Sequence, residues 1–153
     1  MRKFNRIVRR VVEQVDGSSF VEIALVLPFF LLILVPSVDL ARAFYAAIEV
    51  SSAAEAGAVY GVQNPGDVAG MLTASKSGAS NLTGFSANAT YGCECSDGSS
   101  AVASCTSTPS CTYNYVNYSD VVATVVYVPT FKYPGLPSSI NITHESRLRA
   151  GGD

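Results

Sequence analysis

From Ile23 to Val38 the chain reads IALVLPFFLLILVPSV, sixteen residues without a charge, flanked by Glu22 and Asp39. Phe20 and Val21 lengthen this run on one side and residues 40–48 on the other, which brings it to the ~20 residues a helix needs to cross a bilayer. Pro28 and Pro36 each remove a helical donor, a loss that membrane helices tolerate with a bend or local loosening. Past Asp39 the run DLARAFYAAIEVSSAAEAGAVYG keeps helical spacing through Leu40, Phe44 and Ile48, then Val59 and Tyr60 after a stretch of small residues. One helix is therefore expected from Phe20 to Tyr60, roughly 60 Å long at 1.5 Å per residue, half of it anchor and half of it scaffold beyond the bilayer. Ala46, Ala47, Ser51, Ala53, Ala54 and Gly57 would let another helix or a sheet approach closely. Equally, they are good helix formers filling surface.

Asn64-Pro65-Gly66-Asp67 reads as a turn, after which Asp67 caps a short helix with Val68, Met71 and Leu72 on one face and Gly78 at its end. Phe85, Ala87, Ala89 and Tyr91 alternate with polar residues at the period of a strand with one buried face. Tyr113 to Val128, ending VVATVVYV, is β-branched and aromatic enough for the central strand, buried on both faces. After the turn-rich PTFKYPGLPSS, a last edge or near-edge strand begins at Ile140. It sets Ile140, Ile142, His144 and Leu148 on one face and Asn141, Thr143, Glu145, Arg147 and Arg149 on the other. The expected class is α+β: a long N-terminal helix packed on a small antiparallel sheet, with a short second helix. The expected organisation is a basic leader 1–17, the helix 18–61 with its transmembrane half at 20–38, and an extracytoplasmic α+β domain 62–153 with a cysteine loop at 93–111.

Charge sharpens this picture. The formal net charge is -2, but five of the ten Lys and Arg residues, Arg2, Lys3, Arg6, Arg9 and Arg10, precede the apolar run. The positive-inside rule explains that asymmetry without nucleic acid and keeps the N-terminus in the cytoplasm, with the domain outside. Cys93, Cys95, Cys105 and Cys111 then lie in an oxidising compartment, where two disulfides are the default. A nested pairing, Cys93 to Cys111 and Cys95 to Cys105, would staple a hairpin. Zinc is the competing reading, against which stands the Cys-x-Cys spacing.

Glu22 sits at the cytoplasmic margin of the apolar run, where an unpaired carboxylate is costly. Cutting the bond between Gly17 and Ser18 would place Glu22 fifth in the mature chain and create an amine at Ser18. That amine would supply the missing counter-charge, within one chain or between neighbours. A basic leader, Gly17, then Ser18-Ser19-Phe20-Val21-Glu22 and an apolar helix resembles the processing signal of type IV prepilins. The run FVEIALVLPFFLLILVPSVDLARAFYAAIEVSSAAEAGAVYG resembles the signature helix of the TadE-like pseudopilins of the tight-adherence pilus system, over about the first 60 residues. The resemblance implies a membrane-embedded prepilin peptidase that cuts after Gly17, with other pilins, pseudopilins and pilus platform proteins as partners. It also implies a bacterial inner-membrane location, and no catalysis by this chain. Ile23 stands where major pilins of this system usually carry Tyr, and the domain after the helix is larger than theirs. Both departures favour a minor or priming subunit.

Two rival fates for the anchor remain open. Ala41-Arg42-Ala43 fits a signal-peptidase site that would release a secreted domain beginning near Phe44, and an uncleaved signal anchor would let Glu22 snorkel to water. Either would leave an extracytoplasmic binding or adhesion module with no pilus. Four Asn-x-Ser/Thr triplets, at Asn81, Asn88, Asn117 and Asn141, signal exposed polar surface. No nucleophile elbow, phosphate-binding glycine loop or metal-spaced His and Glu appears, and His144 reads as a satisfied core histidine, so no enzyme, cofactor, metal or small-molecule substrate is expected. Tyr113, Tyr115 and Tyr118, with Phe131 and Tyr133, form either an adhesive surface or ordinary sheet packing.

Overall fold

The computed structural model describes residues 17–107, 109–132 and 135–150. The basic leader through residue 16 and Tyr133 of the Pro-rich turn lie outside the described residues. In chain order the elements are α1 (Gly17–Gln63), α2 (Val68–Gly78), β1 (Phe85–Cys95), β2 (Ala101–Val102), β3 (Tyr115–Tyr127) and β4 (Ile140–Ala150). The class is α+β, with an antiparallel sheet in the order β2-β1-β3-β4. β3 is central among the long strands and β4 is an edge, as the sequence pattern requires. The chain divides into two compact units, residues 1–40 and 41–153.

Within the second unit, the helix face that packs on the sheet is made of small residues. Ala46, Val50, Ala53, Ala54, Gly57, Ala58 and Gly61 recur at three- and four-residue steps, and all are buried. Val50 and Ala54 meet Ala123 and Val125 of β3, flanked by Leu82, Phe85 and Ile142. Ala58 meets Val121 and Met71, with Ala87, Ala89, Tyr91 and Leu148 around them. The close-approach reading of these small residues is therefore the one realised, although Ala47 and Ser51 are only half-buried. The larger apolar positions behave otherwise: Phe44, Ile48 and Val59 are exposed.

α2 begins where the Asp67 carboxylate accepts the Gly70 N–H at 2.9 Å and the Tyr60 hydroxyl at 2.9 Å. Those two bonds, the backbone one first, hold the Asp67 carboxyl below its ordinary pKa. Met71 and Ser75 form the buried face of α2, while Leu72, expected beside Met71, is exposed.

Two expectations for the strands are corrected. β3 is not buried on both faces: Ser119, Val121, Ala123 and Val125 are buried against the helices, whereas Val122 and Thr124 are half-buried and Val126 is exposed. The helices cover one face of the sheet only, so the β-branched run reflects strand propensity as much as burial. His144 lies opposite Ala123 on the helix-facing side, as its spacing implies, yet it is exposed rather than a core histidine. On an edge strand the alternation continues past the point where the helix still provides cover.

The helix-to-sheet approach is tightest at Gly61. A Cβ there would stand 2.8 Å from Met71 Sδ and 2.8 Å from both Cβ and Oγ of Ser119. Gly61→Leu should therefore lower the unfolding free energy by about 1–3 kcal/mol through overpacking, despite the better helix propensity of leucine. Urea unfolding of the detergent-solubilised chain measures this, and an unchanged midpoint would count against the close approach.

Candidate functional site

The apolar half of α1 begins at Gly17, and the helix continues through both Pro28 and Pro36. After Pro36 the Ser37 hydroxyl donates to the Ile33 carbonyl at 2.8 Å. Large apolar side chains are exposed all round this segment, with Phe20, Phe29 and Leu32 each above 70 %. Among the described residues, this helix is the one long and apolar enough to cross a membrane, and its most apolar window is wholly unburied. A helix that exposes such a surface needs lipid or other helices around it.

Glu22 is exposed on this segment. It lines a shallow surface groove whose other lining residues, Ile23, Val26, Leu27 and Phe30, are apolar. Ser18 precedes it by four residues in the sequence.

The cysteines close the far end of the sheet in a crossed arrangement: Cys93 with Cys105, Cα atoms 5.3 Å apart, and Cys95 with Cys111, Cα atoms 5.4 Å apart. The nested pairing is thereby corrected. It presumed a two-stranded hairpin, but β2 returns along β1 for only two residues, with Val102 opposite Cys93. The chain leaving β2 therefore reaches Cys93 first with Cys105. It enters β3 with Tyr115 opposite Cys95, which brings Cys111 to Cys95.

Between the two β1 cysteines lies a residue that sequence reasoning passed over. Glu94 is buried, and its two carboxylate oxygens accept from Arg147 at 2.5 Å and from Arg149 at 2.6 Å. Arg147 also lies 3.9 Å above the Tyr118 ring, and Arg149 donates to the Ser96 carbonyl at 3.4 Å. One carboxylate thus ties edge strand β4 to β1 across β3. The available signal was the final Arg-Leu-Arg, whose two cations share a strand face and require an acid within reach.

The aromatic residues proposed as a surface are not brought together. Tyr118 is buried and donates to the Val102 carbonyl at 3.3 Å. Tyr113 and Tyr115 are exposed at the disulfide end, whereas Phe131 lies beyond the other end of β3. Of the four triplet asparagines, Asn81, Asn88 and Asn141 are exposed and Asn117 is half-buried.

Residues 17–59 match the model of the TadE-like protein family. Over this stretch, less than a third of the chain, the N-terminal helix is similar to TadE-like proteins. The match opens at Gly17, runs through the exposed apolar half of α1 and ends within the part that packs on the sheet. It supports a pilus-associated, pilin-like role, with membrane association and pilin partners. No curated protein and no solved structure matches the chain.

Beside the Glu94 network, Asp120 lies opposite Arg147 and its Oδ1 is buried without a hydrogen-bond partner. Burial, then the charge of Glu145, raises its pKa against the opposing pull of Arg147. For an acid with a raised folded-state pKa, stability is complete below its ordinary value of 3.8 and is lost as pH rises through the folded pKa. Asp120→Asn should therefore raise the thermal midpoint at pH 7, with a gain that disappears below pH 3.8. Melting curves across that range test it, and a variant less stable at pH 7 would reverse the sign.

Proposed function

We propose that this protein is a TadE-like minor pseudopilin, a structural component in the assembly of a tight-adherence type IV pilus. In this reading a prepilin peptidase removes residues 1–17 at the cytoplasmic face of the inner membrane. The helix over residues 18–61 first anchors the subunit and later packs among the helices of other pilins, and residues 62–153 present an extracytoplasmic domain. The observation that carries the reading is the coincidence of three features on one helix. The family match starts at Gly17, a carboxylate stands five residues on at Glu22, and the apolar surface around it is wholly exposed.

The chemistry supplies a reason for the order of events. Before cleavage the Gly17–Ser18 nitrogen is a neutral amide. Hydrolysis turns it into an amine that is largely protonated near neutral pH, four residues before Glu22 in the sequence, a spacing at which helical neighbours can interact. In a low-dielectric environment a carboxylate and an ammonium are each costly alone and far less so together. Cleavage thus makes Glu22 compatible with a position among packed helices, either through its own Ser18 or through that of a neighbouring subunit.

The protein recovered from cells should begin at Ser18 by N-terminal sequencing. Beginning at Met1 it would be an uncleaved signal anchor, and beginning near Phe44 a secreted module released at Ala41-Arg42-Ala43. Gly17→Leu should leave the full-length species uncut on an immunoblot. Glu22→Ala should still be cut, yet most of it should be lost from the sheared pilus fraction, and normal incorporation would remove the charge-pairing argument.

A further inference from the structure

We infer that the connection between β3 and β4, in its described residues 128–132 and 135–139, dips into the headgroup layer of the same bilayer that holds α1, with an anionic phospholipid surface as its ligand. The inference rests on the membrane-anchored part of the proposed function.

Three contacts within the second unit fix where this connection lies. The Ser119 hydroxyl donates to the Ala58 carbonyl at 2.5 Å, Val125 clusters with Val50, and Thr130 hydrogen-bonds to Arg42. As β3 advances, its partners on α1 step back towards the N-terminus, so the strand delivers the connection to the start of the unit. Arg42 comes four residues after Val38, where the uncharged apolar run ends.

What arrives there suits lipid. Val128, Phe131 and Leu136 are exposed at 62 %, 52 % and 59 %, and with Pro129 and Pro137 they line a small pocket of ≈ 130 Å³. Proline-rich backbone carries fewer donors to leave unsatisfied at a membrane surface. Phe44 and Tyr45, one turn beyond Leu40, are exposed as well, in keeping with aromatic side chains at the headgroup level. The charges are segregated to match. From Val121 to His144 the chain has no Asp or Glu, and Lys132 stands among the apolar residues of the connection. The acids Glu94, Asp97 and Asp120 belong to the opposite, disulfide-bearing end of β1 and β3. Within the connection itself one cation, Lys132, stands among exposed apolar side chains with no acid, a composition that fits an interfacial contact with anionic lipid.

The chain contains no Trp, so single tryptophans report position without background. The full-length variants Phe131→Trp, Leu136→Trp, Tyr113→Trp and Phe30→Trp are reconstituted into phosphatidylcholine vesicles with and without phosphatidylglycerol, and fluorescence quenching by acyl-chain-brominated lipids is read. Trp at 131 and at 136 should emit at shorter wavelength and be quenched most by bromines near the headgroups, more strongly with phosphatidylglycerol. Trp at 30 should be quenched by deep bromines, and Trp at 113 should not be quenched. Adding Lys132→Glu to Phe131→Trp should abolish the phosphatidylglycerol enhancement. If position 30 is quenched while 131 and 136 stay as unquenched as 113, this inference fails and the anchor stands. Failure of quenching at position 30 removes the anchor and the inference together. A wavelength shift at 131 that appears only at high protein-to-lipid ratio, without quenching, would give the surface to a second copy of the chain and overturn the lipid assignment.

Discussion

Between Ala46 and Gly61 no fully buried residue of the helix is larger than valine, and the backbones of α1 and β3 close together as a result. The approach is near enough for the Ser119 hydroxyl to bond the Ala58 carbonyl, an acceptor already used within the helix, and for Gly57 and Gly61 to have no room for a Cβ beside Met71, Val121 and Ser119. Close packing of small groups gains dispersion contacts at little cost in side-chain entropy. It also frees the larger apolar residues of the helix, Phe44, Ile48 and Val59, for the outside. One helix thereby carries two kinds of surface: a narrow small-residue stripe committed to its own domain, and a broad apolar remainder left for lipid or other helices.

The opposite face of the sheet is organised by charge. Glu94, gripped by Arg147 and Arg149, spans three strands from a position between two bridged cysteines. Breaking such a buried pair on one side leaves a stranded charge, so the network specifies the pairing of edge strand β4 more sharply than hydrophobic contact would. With helices on one face and ions on the other, the sheet needs only a thin core.

Much of this was legible in the chain. The uncharged run from Ile23 to Val38, the Asp67 cap and the alternation of Phe85, Ala87, Ala89 and Tyr91 each mark a local preference, and local preferences survive folding. What escaped were properties of partners distant in sequence. Periodicity placed Leu40, Phe44 and Ile48 on one stripe but could not say that the sheet would choose the smaller residues beside them. His144 and Leu72 kept the faces their spacing implied and lost their cover, because cover depends on how far the opposing element reaches. The cysteine pairing followed from the two-residue length of β2, too short to register as a pattern, and Glu94 lay in a segment read only for its sulfurs. The proposal for Gly17 and Glu22 rests on covalent order along the chain rather than on tertiary packing.

The antiparallel course of α1 and β3 has a mechanical corollary. Their contacts are strung along both elements, from Val50 with Val125 to Ala58 with Val121. A pull transmitted through the residues before Ala46 therefore acts parallel to this seam, sliding one element past the other, so that the contacts resist in concert instead of peeling apart in turn.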